Sequence, residues 1–112
     1  MGKIEKDYNK TAMDMHGELC KNIHELCVRK NKDYGSSAHD SNIDFGIVSY
    51  VIRLNDKMNR LKTLINNERH VKDESIRDTL MDLANYSLLA IVDLDLDIDS
   101  RETSEVKNWN LE

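Results

Sequence analysis

Asp73-Glu74-Ser75-Ile76-Arg77-Asp78-Thr79-Leu80-Met81-Asp82-Leu83-Ala84-Asn85-Tyr86 reads as a helix with a ladder of acids on one side. At about 100° per residue, Glu74, Asp78, Asp82 and Asn85 fall within a stripe roughly 80° wide. Ile76, Leu80, Met81, Leu83, Ala84, Leu88, Ala90 and Ile91 take most of the remaining circumference. Such a helix is expected to be covered by protein on several sides while its acids look into a narrow space. Acids at i, i+4 repel by a few tenths of a kcal/mol per pair. Three of them in line imply either a bound cation or a solvated edge.

Working outward, the chain has 112 residues, no proline and only four glycines, so helix breakers are scarce. The pattern predicts an all-α fold, a helical bundle of about three long helices with a polar loop after the first, in one domain spanning residues 1–112. A core of this size is modest, and long helices in a short chain often finish their burial against a second copy, so a homo-oligomer is expected. The net charge of −5 argues against coating nucleic acid, which takes clustered Lys and Arg. No apolar run approaches the ~20 residues that span a bilayer. The start, Met1-Gly2-Lys3-Ile4-Glu5-Lys6, has no apolar signal core and lacks the Ser or Thr of a myristoylation signature. A cytoplasmic protein without membrane contact is expected. Cys20 and Cys27 sit about 10 Å apart on one predicted helix, too far for a mutual disulfide, and read as small core residues.

The first helix is predicted from about Lys10 to Lys30, with Ala12, Met15, Leu19, Ile23, Leu26 and Cys27 at core spacing. Asn31 to Asn42 is rich in residues that bond their own backbone and reads as the one long loop. A second helix begins near Asp44 or Gly46 and runs to about Asn66, with Ile47, Tyr50, Val51, Leu54, Met58, Leu61 and Ile65 as its apolar stripe. Beside that stripe, the spacing allows Arg53–Asp56 and Asp56–Arg60 pairs. The connection Asn66–Lys72 leads to Asp73, a candidate N-cap, with Glu74 in the favourable first turn. Beyond Val92 the alternation Asp93-Leu94-Asp95-Leu96-Asp97-Ile98-Asp99 reads as the helix end fraying into an extended acidic tail, residues 93–112, which carries Trp109.

Carboxylates on one helix with basic residues on another are the ingredients for holding a nucleoside phosphate through a hard cation. Mg²⁺ takes oxygen ligands and keeps water and phosphate oxygens in its shell. Asp78 and Asp82 are the candidate metal pair, with Glu74 and Asp56 as further ligands. Arg53, Lys57 and Arg60 are candidates for phosphate oxygens. Asn85 and Tyr86 could meet a base or sugar, although a buried Tyr86 is equally a core aromatic. The histidines form no ligand set, and no HExxH, CxxC, P-loop or GxGxxG is present, so no catalytic residue is singled out.

Three blocks carry a resemblance: Lys30-Asn31-Lys32-Asp33-Tyr34-Gly35-Ser36, Arg53-Leu54-Asn55-Asp56-Lys57-Met58-Asn59-Arg60-Leu61, and the Asp73–Tyr86 stretch. Together they resemble the nucleotide-modification-associated domain 1 family. The resemblance implies an all-helical phage or prophage protein of nucleotide or modified-base metabolism, in the host cytoplasm, and adds Lys32, Asp33 and Tyr34 to the candidate substrate contacts. A looser similarity is to MazG-like, all-helical nucleotide pyrophosphohydrolases, whose third helix carries an ExxD pair for Mg²⁺. Here the comparable pair is Asp78 and Asp82 at i, i+4. Those enzymes add an ExxE pair on a preceding helix, where this chain offers Asp56 on its second helix and Glu18 or Glu25 on its first. The readings are therefore a nucleoside-phosphate binder with Mg²⁺-dependent phosphoanhydride hydrolysis, a non-catalytic module that senses or sequesters a nucleotide, or a helical interaction oligomer without a ligand.

Overall fold

The structure, a computed structural model, describes the backbone of residues 2–66 and 73–104 and the side chains of residues 7–66 and 76–97. Among the described residues there are four helices and no strand: α1 (Gly2–Tyr34), α2 (Ser37–Phe45), α3 (Val48–Asn66) and α4 (Asp73–Ser104). The all-α expectation therefore holds. The chain divides into two compact units, Met1–Gly35 and Ser36–Glu112.

The first unit is α1, a helix of 33 residues, about 50 Å long at 1.5 Å per residue. It outruns its predicted ends because nothing between Gly2 and Tyr34 breaks it; Gly17 alone costs only about 1 kcal/mol in a helix interior. It stops at Gly35, whose φ of 73° is open to glycine. The Gly35 N–H bonds the Asn31 carbonyl at 2.8 Å, closing the last turn. Leu19, Ile23, Leu26 and Cys27 are half-buried, while Met15 and Cys20 are exposed. The core assignment of Cys20 is thus corrected. Both cysteines are free thiols, as their spacing required.

The long loop expected at Asn31–Asn42 is also corrected. Its first four residues finish α1, and after Gly35 and Ser36 the rest enters α2. Small polar residues that favour turns in isolation form this helix because Asp40 N–H reaches back to the Ser36 carbonyl at 2.9 Å, with Asp40 in the favourable first turn. α2 ends at Gly46, where φ is 80° and ψ is −169°, a region other residues avoid. No atom lies within 4 Å of where a Cβ would sit on Gly46, so the penalty for a larger residue is all backbone. Gly46→Ala is expected to lower stability by about 1–3 kcal/mol, read as the shift in urea midpoint; an unchanged midpoint would show that the turn relaxes freely.

The Gly46 carbonyl accepts from both the Ser49 N–H at 3.0 Å and the Ser49 hydroxyl at 2.9 Å, which starts α3 one turn later. α3 packs chiefly on α4, and α2 lies across both. The line that meets α4 is Tyr50, Arg53 and Lys57, whereas Val51, Met58 and Ile65 of the predicted stripe are exposed. α4 likewise leaves Leu80, Leu88 and Ile91 exposed, so it is not wrapped on several sides among the described residues. It also continues to Ser104. The extended tail is thus corrected as far as residue 104, because Leu96 and Asp97 sit three and four residues after Asp93, at helical spacing. Trp109, the connection at residues 67–72 and the side chains of Asp73 and Glu74 lie outside the described residues. No described helix is long and apolar enough to cross a membrane.

Candidate functional site

A polar seam runs along the packed faces of α3 and α4. At one end Lys57 Nζ meets Asp82 Oδ2 at 3.2 Å. One turn on, the Arg53 guanidinium lies over the Tyr86 ring, 5.7 Å from its centroid, and Arg53 Nη2 donates to Ser41 Oγ of α2 at 3.3 Å. At the other end Asp93, only 6% exposed, accepts from the buried Tyr50 hydroxyl at 2.5 Å and meets His39 Nδ1 of α2 at 2.7 Å. The pairs Lys57–Asp82 and Tyr50–Asp93 make α3 and α4 antiparallel. They also show why the two helices lock in one register, since a slip would strand Asp93 in an apolar setting.

The acidic ladder separates along this seam. Asp82 is half-buried and bound to Lys57, while Asp78, Asp56 and Arg60 are exposed. Among the described residues no group of three or more His, Cys, Asp or Glu could hold a metal ion. The Glu74 side chain falls outside the described residues. Neither the Arg53–Asp56 nor the Asp56–Arg60 pair forms within 4 Å among the described residues. Arg53 turns to Tyr86 and Ser41 instead. The Lys57–Asp82 pair, with side chains 30% and 19% exposed, contributes on the order of 0.5–1 kcal/mol. Asp82→Asn is expected to lower the urea-derived stability by about that amount, and Asp78→Asn to leave it unchanged or slightly higher. Equal effects at both positions would contradict the separate roles.

Above the seam, α2 and α3 enclose an open groove of about 330 Å³ lined by Ser41, Phe45, Ser49, Ile52, Arg53 and Asp56. Arg53 is the residue common to seam and groove. Its guanidinium is held on two sides by Tyr86 and Ser41, yet it has no carboxylate partner among the described residues. A guanidinium carries five N–H donors in a planar fork, so donors remain for an anion in the groove. Phe45, which also lines the groove, is exposed and offers an aromatic face; Asp56, one turn along α3 from Arg53, can accept from hydroxyl or amino groups. Lys32, Asp33 and Tyr34 belong to the last turn of α1 and are exposed. Asn85 is buried, with no side-chain hydrogen bond among the described residues, and does not line the groove.

The family model described as nucleotide modification associated domain 1 matches residues 30–94, more than half of the 112-residue chain. The chain belongs to this family. No curated protein and no solved structure matches it. The matched span of the nucleotide modification associated domain includes α2, α3 and the part of α4 up to Leu94, so it contains every residue of the seam and the groove. Within the domain, the sequence reading singles out neither Ser41, Phe45, Ser49 and Ile52 of the groove nor His39 and Asp93 of the seam. Asp93 had a visible signal, since it stands eleven residues after Asp82, on the same helical face through Tyr86. Phe45 and Ser41 had none, because α2 itself read as loop.

Proposed function

We propose that this nucleotide modification associated domain binds a nucleoside phosphate in the α2–α3 groove and acts as a non-catalytic binding module. Arg53 carries the reading: a guanidinium fixed by an aromatic face and a hydroxyl, without a carboxylate partner among the described residues, in an open groove. A phosphate would take the fork of Arg53, where charge-assisted bonds are about twice as strong as neutral ones. Phe45 would stack on the base, a contact that every base can make. Asp56 would accept from the sugar or base. Lys57 serves the fold through Asp82 in this scheme, and Arg60 extends the basic edge of α3. Mg²⁺ would arrive with the nucleotide's own phosphates. The family's description, which links it to nucleotide modification, supports the ligand class.

The alternative, Mg²⁺-dependent hydrolysis of a phosphoanhydride, needs carboxylates that hold the cation on the attacking side. The described groove lining holds one carboxylate, Asp56, beside Arg53, and the anchoring of Arg53 makes binding the first reading. Isothermal titration with a panel of ribo- and deoxynucleoside mono-, di- and triphosphates, with and without Mg²⁺, tests the proposal. A dissociation constant between about 10 µM and 1 mM is expected for part of the panel, fitting a shallow groove with one strong anchor. Absence of binding to every member overturns it. Product formation would replace the binding module with the hydrolase.

A further inference from the structure

Sulfur and imidazole donors gather on α1, and helical phase sets them in line. At about 100° per residue, each position from Met13 to Cys27 that falls within one stripe roughly 80° wide carries such a donor: Met13, His16, Cys20, His24 and Cys27. The chain has only 5 Met, 4 His and 2 Cys in 112 residues, so filling every position of the stripe is a pattern rather than a sampling of the composition. The stripe is displaced by about 90° from the line of Leu19, Ile23 and Leu26, the half-buried leucines and isoleucine of this helix. Met13, His16, Cys20 and His24 are exposed. Free cysteine is among the residues most often found buried, so core packing does not account for Cys20.

Two of these donors already stand close enough to share an ion. Cys20 Sγ lies 3.9 Å from His16 Nδ1, one turn away on the same face. With metal–donor distances of about 2.3 Å for sulfur and 2.0 Å for nitrogen, that separation of 3.9 Å opens an angle of about 130° at an ion between them. This is wider than a tetrahedral Zn²⁺ site takes. No third His, Cys, Asp or Glu completes a group with the pair among the described residues, which suits an ion that is content with few soft donors. We propose that α1 binds Cu⁺, with the Cys20 thiolate and the His16 imidazole as its ligands. Thiolate and thioether ligands select Cu⁺, and imidazole suits copper as well. Binding exchanges the Cys20 thiol proton, released to solvent, for the metal. The pair precedes the span of residues 30–94 that the family model matches, so it is separate from the nucleotide reading.

Competition for Cu⁺ against bicinchoninate, with the full chain reduced and free of oxygen, tests the proposal. Far-UV circular dichroism checks that each variant stays helical. The wild type is expected to withdraw Cu⁺ from the coloured chelate until the pair is filled. Cys20→Ser is expected to weaken binding more than about 100-fold and His16→Ala more than about 10-fold, since even a group that only orients a ligand is worth about 10–100-fold. Cys27→Ser, which changes the other thiol of the stripe, is expected to leave the affinity unchanged. A wild type that withdraws no Cu⁺ overturns the proposal. Equal losses from Cys20→Ser and Cys27→Ser also overturn it, because they mark binding by any thiol, and so does wild-type affinity in His16→Ala.

Discussion

Replacing Arg53 by glutamine is expected to weaken nucleoside phosphate binding by about 10- to 100-fold while leaving a folded protein. The magnitude follows from removing a charge-assisted, fork-shaped contact worth about 1.5–3 kcal/mol, at about 1.4 kcal/mol per tenfold. Glutamine keeps a donor toward Ser41 Oγ but loses the charge over the Tyr86 ring, a contact worth about 0.5–1 kcal/mol to the fold. Arg53→Lys retains the charge without the planar fork and is expected to fall between wild type and glutamine. Titration calorimetry with the tightest nucleotide of the panel reads both. Equal affinities for all three proteins would remove Arg53 from the site.

The second large effect falls on the fold. Asp93→Ala is expected to cost about 1–3 kcal/mol in urea-derived stability, because it removes the buried acceptor shared by the Tyr50 hydroxyl and His39. Single domains have a total stability of only about 5–15 kcal/mol, so this loss is a sizeable share of the total and readily measured. Tyr50→Phe removes one donor to the carboxylate and leaves His39 in place; a loss of about 1–3 kcal/mol is expected. The double variant Tyr50→Phe with Asp93→Leu, apolar on both sides, is expected to cost less than the two single losses added together, since no polar group is left stranded. A loss below about 0.5 kcal/mol for Asp93→Ala would mean that water replaces the missing carboxylate.

The residues that fold this chain were legible in the sequence where period and breakers agree. Scarce glycine and absent proline gave the helical class, and the 3-and-4 spacing located the start of α3 two to four residues early and gave its end. Three features were hidden for physical reasons. The stretch from Asn31 to Asn42 has turn-forming residues throughout, and only the tertiary seat across α3 and α4 makes α2 a helix. The run from Asp93 to Asp99 alternates in polarity at period two, yet Asp93 and Asp97 also share a face at period 3.6, and packing against Tyr50 and His39 selects the helix. The acidic ladder looked uniform because phase alone cannot tell an acid that meets a lysine from one that meets water. Asp82 meets Lys57 and Asp78 is exposed. At the site, Arg53 and Tyr86 were found from their residue types, while Phe45 and Ser41 came from an element that sequence did not reveal.

The proposed seat of the nucleoside phosphate is the α2–α3 groove, on Arg53. Backbone amide chemical-shift mapping of the full chain during titration with the panel's nucleotides, and with inorganic phosphate alone, tests it most directly. The predicted result is a saturable set of shifts centred on Ser41, Phe45, Ser49 and Arg53, with inorganic phosphate moving only the Arg53 and Ser41 end. Shifts centred elsewhere, or none at millimolar nucleotide, would contradict it.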